Sequence, residues 1–264
     1  MPCVLELGGK SPAIIDETSD ATLAAKKVLF GKMPNYGQVC IAPDYVLCHE
    51  SKVDEFIESL KSNLENAYGN CETPADSGKI INEFHYNRIC DLFKDHDGEV
   101  LIGNPNTFHD RNLKPSLILN PSKDSELMKD EIFGPIFPLI SYKSLDEAIE
   151  YVGELEKPLV VYYFGDKDGE NYKRVLEETS SGSLVVNDTI YQILNTDLPF
   201  GGVGNSGYGR YHGISGFKTF SNMKSVLVKP PLDVFPFNMV FPPYTESRKN
   251  LIVTILDAGV VTQN

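Results

Sequence analysis

No apolar run in this sequence approaches the roughly 20 residues that a membrane span needs; the stretch Leu251 to Val261 is short and is broken by Asp257. Basic charge is also scarce. With 24 Lys and Arg against 37 Asp and Glu, the formal net charge is -13. Such a surface repels nucleic acid and anionic membranes, so neither is an expected partner. Cysteine is sparse too: Cys3, Cys40, Cys48, Cys71 and Cys90 form an odd set with no C-x-x-C pair. That argues against a disulfide framework and a zinc knuckle, and for a reducing compartment. The first residues show no basic region and no small-residue cleavage site, so a secretory leader is not expected there. A cytoplasmic location is the expectation, with peripheral membrane association left open. There is no long polar tract, no internal repeat and no low-complexity segment. What is there is a chain of 264 residues, 41% hydrophobic, large enough to bury a core as one large domain or two small ones.

Val4 to Leu7 is a short apolar run holding one carboxylate, Glu6, and Gly8-Gly9-Lys10-Ser11-Pro12 closes it, so it reads as a buried strand ending in a tight turn. Ala13 to Asp16 reads as a second strand. Residues 20–33 carry Leu23, Ala24 and Val28 at helical spacing. Tyr45 to Cys48 then reads as a strand, and Val53, Phe56, Ile57, Leu60 and Leu64 mark a helix that Gly69 can end. From Gly98 onward short strands (100–102, 116–119, 136–140, 159–164, 184–186) alternate with helices. One helix opens on Ser144-Leu145-Asp146-Glu147, the pattern of a reciprocal capping box. That alternation predicts an α/β domain with a largely parallel sheet. Beyond Pro199 come a glycine-rich loop (201–216), a lone strand over Ser225 to Val228 and a proline-rich tail, with a boundary expected near 200.

Among the cysteines, Cys48 in an apolar strand and Cys90 beside Ile89, Leu92 and Phe93 read as small core hydrophobes. Cys3 and Cys71 have nothing nearby that would lower a thiol pKa. Cys40 comes after the turn Asn35-Tyr36-Gly37-Gln38-Val39. Backbone N–H groups of such a turn can point at the sulfur and at an oxyanion forming on a bound carbonyl. On local context a packing role and a nucleophilic role both stand. For Glu6 the two readings are a structural ion pair or cap, and a desolvated carboxylate that takes a proton from water. Gly202-Val203-Gly204-Asn205-Ser206-Gly207 matches G-x-G-x-x-G. No strand leads into it, and Gly209 and Gly213 interrupt any helix after it, so it reads as a loop rather than a phosphate cradle. His49 and His212 lack partners at metal-ligand spacing, and no metal site is expected. Glu131-Ile132-Phe133-Gly134-Pro135 sets a carboxylate and an aromatic ring before a Gly-Pro turn, where they could hold a sugar hydroxyl and a flat ring.

Taken in order, Leu5 to Pro12, Gly37 to Tyr45, Glu131 to Pro135 and Leu198 to Gly207 resemble the aldehyde dehydrogenase superfamily, most closely its class 3 and fatty-aldehyde branch. The resemblance runs over about residues 4 to 230 and fades beyond Lys229. It implies that Cys40 is the nucleophile that attacks an aldehyde carbonyl, and that Glu6 is the base that activates water to hydrolyse the resulting thioester. It implies that Glu131 holds the nicotinamide ribose of NAD or NADP, that Phe133 packs beside it, and that Gly8 and Gly9 form a turn lying close to the nicotinamide. The implied activity is oxidation of a medium- or long-chain aliphatic aldehyde to a carboxylic acid.

The same resemblance implies an intact chain of roughly twice this length. The expected division is therefore a remnant of the coenzyme-binding domain over 1–10 and a catalytic domain over 11–200. The glycine-rich loop, an oligomerisation strand and the tail then occupy 201–264. Most of the coenzyme-binding domain is expected to be missing, with its Rossmann-type strands, the groups that meet the adenosine ribose, and the asparagine of the oxyanion hole. Losing one oxyanion donor costs about 10²–10³ in rate. An alternative expectation is therefore an inactive fragment that associates with full-length subunits. A homodimer is the family expectation.

Overall fold

The computed structural model describes residues 2–69, 78–103, 110–228 and 241–260, with positions 231, 234 and 238. Cys71, whose sequence context gives it no activating neighbour, lies outside the described residues, as does Lys229, where the resemblance ends. The chain divides into two compact units, Met1–Ser221 and Asn222–Asn264. The glycine-rich loop (201–216) lies within the first of these units.

In chain order the first unit runs β1 (Leu5–Glu6), β2 (Pro12–Ile15), α1 (Ala21–Lys32), β3 (Tyr45–His49), α2 (Val53–Tyr68), α3 (Glu83–Lys94), β4 (Glu99–Ile102), β5 (Ser116–Leu119) and α4 (Glu126–Lys129). It continues through β6 (Ile136–Tyr142), α5 (Leu145–Glu154), β7 (Val160–Phe164), α6 (Glu170–Glu178), β8 (Ser183–Val186), β9 (Gly207–Tyr208) and α7 (Gly213–Thr219). Seven strands form one sheet in the order β4-β5-β6-β3-β2-β7-β8. Every neighbouring pair is parallel except β4 with β5. This is the largely parallel α/β sheet that the strand–helix alternation predicts.

The central strands are apolar along their whole length because helices cover both faces. Every residue of β2 and of β7 is buried, as expected for strands in the middle of a parallel sheet. Helix α1 starts where the Asp20 side chain accepts the N–H of Leu23 at 2.9 Å, satisfying one free donor of its first turn. It buries Ala24, Ala25, Val28 and Leu29 beside Phe56, Ile57, Leu60 and Leu64 of α2 in one core cluster. Helix α2 stops at Gly69, whose φ of 61° favours glycine.

Three local expectations change. The β1 segment is not buried: Leu5, Glu6 and Leu7 are all exposed, and among the described residues the strand pairs only with β9, Leu5 opposite Tyr208 and Glu6 opposite Gly207. The reciprocal capping box expected at α5 is not formed, because the carboxylate reaches past Ser144 to the residue before it. The Glu147 carboxylate accepts the N–H of Lys143 at 2.9 Å, whereas the Ser144 hydroxyl makes no cap hydrogen bond. A short helix, α7, also starts at Gly213, where the glycine pattern predicts a break.

In the second unit Ser225 to Val228 has no strand partner among the described residues, and Val226, Leu227 and Val228 are exposed. The tail contains a helix, α8 (Glu246–Val260), that the proline-rich context obscures. Among the described residues no helix is long and apolar enough to cross a membrane.

Candidate active site

The parallel sheet gathers the site at one edge. The Glu6–Lys10 segment leads into β2, the Cys40–Asp44 segment into β3, and the Glu131–Pro135 segment into β6; these three strands are adjacent in the order β6-β3-β2. The expected residues therefore meet at the N-terminal ends of neighbouring parallel strands.

A buried ionic brace ties the three segments together. Lys10 pairs with Asp44 and donates to the carbonyls of Leu127 and Asp130, each at 3.0 Å. The other oxygen of Asp44 accepts the N–H of Ile132 at 2.9 Å. Asp44 N–H donates to Ser11 O at 2.7 Å. Arg88 reaches across from α3 and donates to the carbonyls of Ile132 and Glu131. Lys32, at the end of α1, is fully buried with its Nζ 3.9 Å from Asp44. Burial, partly offset by the Asp44 charge, pulls its amine down to about 8.

The cysteine turn is over-determined. Asn35, Tyr36 and Gly37 are all left-handed, with φ of 48°, 63° and 80°. Two non-glycine residues in that region cost energy that surrounding contacts must offset. Those contacts are present. The Asn35 and Gln38 amides each donate to the other's backbone carbonyl, at 3.0 and 2.9 Å, and the Gln38 carbonyl oxygen of the side chain accepts Ile81 N–H at 3.0 Å. The buried Tyr36 hydroxyl donates to Asn112 at 2.9 Å. Gly37 lies so close to Gly134 that a side chain would overlap its carbonyl. Beyond the turn, the Tyr162 hydroxyl donates to Ile41 O and accepts Ile190 N–H.

Cys40 is half-buried, and its thiol donates to Glu6 Oε1 at 3.6 Å. Burial first, then the charges of Glu6 and Glu131, pushes the thiol up to about 11. This runs opposite to the activation expected from the turn's backbone N–H groups, and burial together with two nearby carboxylates is the physical reason. Glu6 itself is exposed, so the burial on which its functional reading rests is absent. Its carboxylate is held instead by the Tyr211 hydroxyl, which donates to Oε2 at 2.8 Å.

Glu131, Gly8 and Gly9 also come together, whereas Phe133 does not line their cleft. Burial and the Asp44 charge raise the Glu131 carboxyl to about 7, against the opposing pull of the Gly9 N–H and of Lys32 and Lys10. A side chain on Gly8 would collide with that carboxylate, so glycine here is needed for the close approach. Phe133 is left-handed, φ 51°, and 38% exposed. A cleft of about 270 Å³ is lined by Gly8, Gly9, Lys10, Glu131, Lys157 and Ser206, among others. Carboxylates and lysines in equal number surround a floor that a side chain on Gly8 would close, a lining that fits a hydroxyl-rich group.

Cys48 and Cys90 are buried and Cys3 is exposed, all three as free thiols, and burial pushes Cys48 up to about 12. The G-x-G-x-x-G stretch is a single 3₁₀ turn, Gly204–Ser206, running into β9. Reading by motif overlooks Lys10, Lys32, Asp44, Arg88, Tyr162 and Tyr211. For Lys10 and Asp44 a signal exists: charges set just before apolar strands must be paired or neutralised.

The fold and the order of these segments define an α/β catalytic domain of the aldehyde dehydrogenase type. The aldehyde dehydrogenase family model matches residues 1–226, and the chain belongs to that family. It is 39% identical over 243 residues to the dimeric NADP-preferring aldehyde dehydrogenase of Canis lupus familiaris, covering 92% of this chain and 53% of that protein. It is 40% identical over 248 residues to aldehyde dehydrogenase family 3 member A2 of Mus musculus, covering 94% of this chain and 51% of that one. These relatives agree with the class 3 and fatty-aldehyde resemblance. A substrate-bound structure of Staphylococcus aureus AldH superposes with a TM-score of 0.79 at 38% identity, over 96% of this chain and 55% of that one. The chain spans about half the length of the curated relatives it matches.

Proposed function

We propose that this chain carries the catalytic half of an NAD(P)-dependent aldehyde dehydrogenase acting on medium- or long-chain aliphatic aldehydes. The observation that carries the reading is the Cys40 thiol 3.6 Å from a Glu6 oxygen, at the entrances to adjacent parallel strands. Cys40 Sγ attacks the aldehyde carbon, and Glu6 Oε1 is placed to take the thiol proton as the C–S bond forms. The nicotinamide coenzyme, when bound, supplies the hydride acceptor. Glu131, Phe133, Gly8 and Gly9 are the residues that would hold it, with the Glu131 carboxylate facing a ribose hydroxyl. Once the carbon is at the oxidation level of a thioester on Cys40, Glu6 takes a proton from the water that hydrolyses it.

In this reading residues 11–200 are the catalytic domain, 1–10 belong to the coenzyme-binding side, and the 201–264 segment supplies the loop and the oligomerising strand. The dimeric relative supports a homodimer, and a reducing, cytoplasmic setting suits the free thiols. A second reading, that this polypeptide alone turns over little and associates with longer subunits, is favoured by the thiol held near 11 and the exposed Glu6. One assay separates the two. The purified chain is given a medium-chain aldehyde with NAD or NADP, and reduced coenzyme is followed. Turnover that Cys40→Ala abolishes supports the enzyme reading, and absence of both turnover and coenzyme binding overturns it for this polypeptide.

A further inference from the structure

We propose that Tyr211 is a positioning residue that fixes Glu6 so that one carboxylate oxygen faces Cys40; the inference rests on the reading of Cys40 as nucleophile and Glu6 as base. The two oxygens of Glu6 are divided between two donors, Oε2 taking the Tyr211 hydroxyl at 2.8 Å and Oε1 the Cys40 thiol at 3.6 Å. Among the described residues these are the only side-chain hydrogen bonds to that carboxylate. Glu6 is exposed and its backbone is held by a two-residue ladder, so without the phenol its side chain is free to turn into solvent.

The phenol is well fixed. Tyr211 and Phe200 exchange backbone hydrogen bonds, both at 2.9 Å. The Tyr211 ring stands edge-on to buried Phe200 at 5.6 Å and to His212 at 4.7 Å. Burial, followed by the hydrogen bond and charge of Glu6, pushes the phenol up to about 12, so it donates throughout the neutral range. The glycine-rich loop, purely structural by its motif, therefore holds Glu6 twice. It pairs with the backbone through Glu6–Gly207 and Leu7 N–H to Ser206 O at 3.0 Å, and with the carboxylate through Tyr211.

The consequence falls on thioester hydrolysis. Water oxygen bonds the acyl carbon while a water proton passes to Glu6 Oε1. The C–S bond then breaks with its electron pair on Cys40 Sγ, which recovers the proton from Glu6, and the carboxylic acid leaves. A carboxylate pinned through Oε2 keeps Oε1 on that path.

The test uses p-nitrophenyl acetate, which acylates a reactive thiol without coenzyme. The burst of p-nitrophenol reads acylation of Cys40, and the slow phase reads hydrolysis. Tyr211→Phe, which retains the ring clamp, is expected to keep the burst amplitude while slowing the burst, to slow the hydrolysis about tenfold and to shift its pH profile. Hydrolysis at the wild-type rate with an unmoved profile overturns the inference. A burst that survives Cys40→Ala overturns the underlying reading instead. Should Cys40→Ala and Glu6→Gln act as that reading requires while Tyr211→Phe does nothing, only the inference fails. Should the ester give no burst, the pH dependence of Cys40 alkylation by iodoacetamide, read by peptide mass, decides. In Tyr211→Phe its midpoint is expected to fall by about half a unit or more, as the released Glu6 carboxylate turns away from the thiol; an unmoved midpoint overturns the inference.

Discussion

The turn that carries Cys40 and the strand that carries Glu6 approach within hydrogen-bond reach, yet they are held by opposite means. The turn is embedded, with its left-handed backbone, the buried Tyr36 and the Asp44 brace all tied into the sheet core. The Glu6 strand is exposed and rests on two ladder residues and one phenol. Nucleophile position is thus a property of the fold, whereas base position is a property of one loop.

The brace offers the largest test of this contrast. Asp44→Ala would leave Lys10 and Lys32 as buried cations without their carboxylate, and should cost about 3–5 kcal/mol, read as a lower denaturant midpoint. Glu131 adds a pH signature of its own. Its folded value near 7 lies above the ordinary 4.5, so its contribution is complete below about 4.5 and is lost as pH rises through about 7. Glu131→Gln should remove that decline, about 2 kcal/mol after allowing for solvent screening. Wild type and variant melts compared at pH 5 and pH 8 measure the difference. Lys32→Met should stabilise by about 1–2 kcal/mol at pH 7, because an apolar side chain of similar length replaces a desolvated amine while Asp44 keeps Lys10 and the Ile132 N–H. A destabilised Lys32→Met would mean that the amine is needed to hold the turn.

Much of this arrangement is legible in the sequence, and its limits have physical causes. The strands β2, β3, β5, β6, β7 and β8 announce themselves as apolar runs because they are covered on both faces. The motifs lead into neighbouring strands, and Cys40 lies beside the Glu6 and Glu131 charges. What the runs conceal is the depth of each residue. Leu5-Glu6-Leu7 has the composition of a buried strand, but it pairs with a two-residue strand about 200 residues further on and stays exposed. Long-range pairing also hides Tyr211, whose role depends on a ladder that no local pattern encodes. The turn before Cys40 predicts an activated thiol. The opposing effect comes first from burial and then from carboxylates distant in sequence.

Those carboxylates can be separated by substitution. The Glu6 charge acts on Cys40 ahead of that of Glu131, so Glu6→Gln should lower the midpoint of Cys40 alkylation from about 11 by roughly one unit. The rate at pH 8 should rise about tenfold. Glu131→Gln should move it less. A larger shift in Glu131→Gln than in Glu6→Gln would mean that the buried carboxylate, not the exposed one, governs the thiol.

The smallest expected effect bears most directly on the contrast between embedded turn and surface ladder. Gly207 lies opposite Glu6 with φ of 148°, and a side chain there would collide with the carbonyl oxygen of Leu5. Gly207→Ala must therefore open the ladder. Because Leu5, Glu6 and Leu7 are exposed, opening it uncovers little apolar surface, and the global stability should change by less than about 1 kcal/mol. Locally the change is larger: the Leu7 N–H loses its bond to Ser206 O, so its amide should exchange at a rate near that of an unprotected one while amides of β2 and β7 stay protected. If Gly207→Ala instead unfolds the domain or exposes β2, the base-bearing strand is part of the same cooperative unit as the cysteine turn, and the two halves of the site are not held independently.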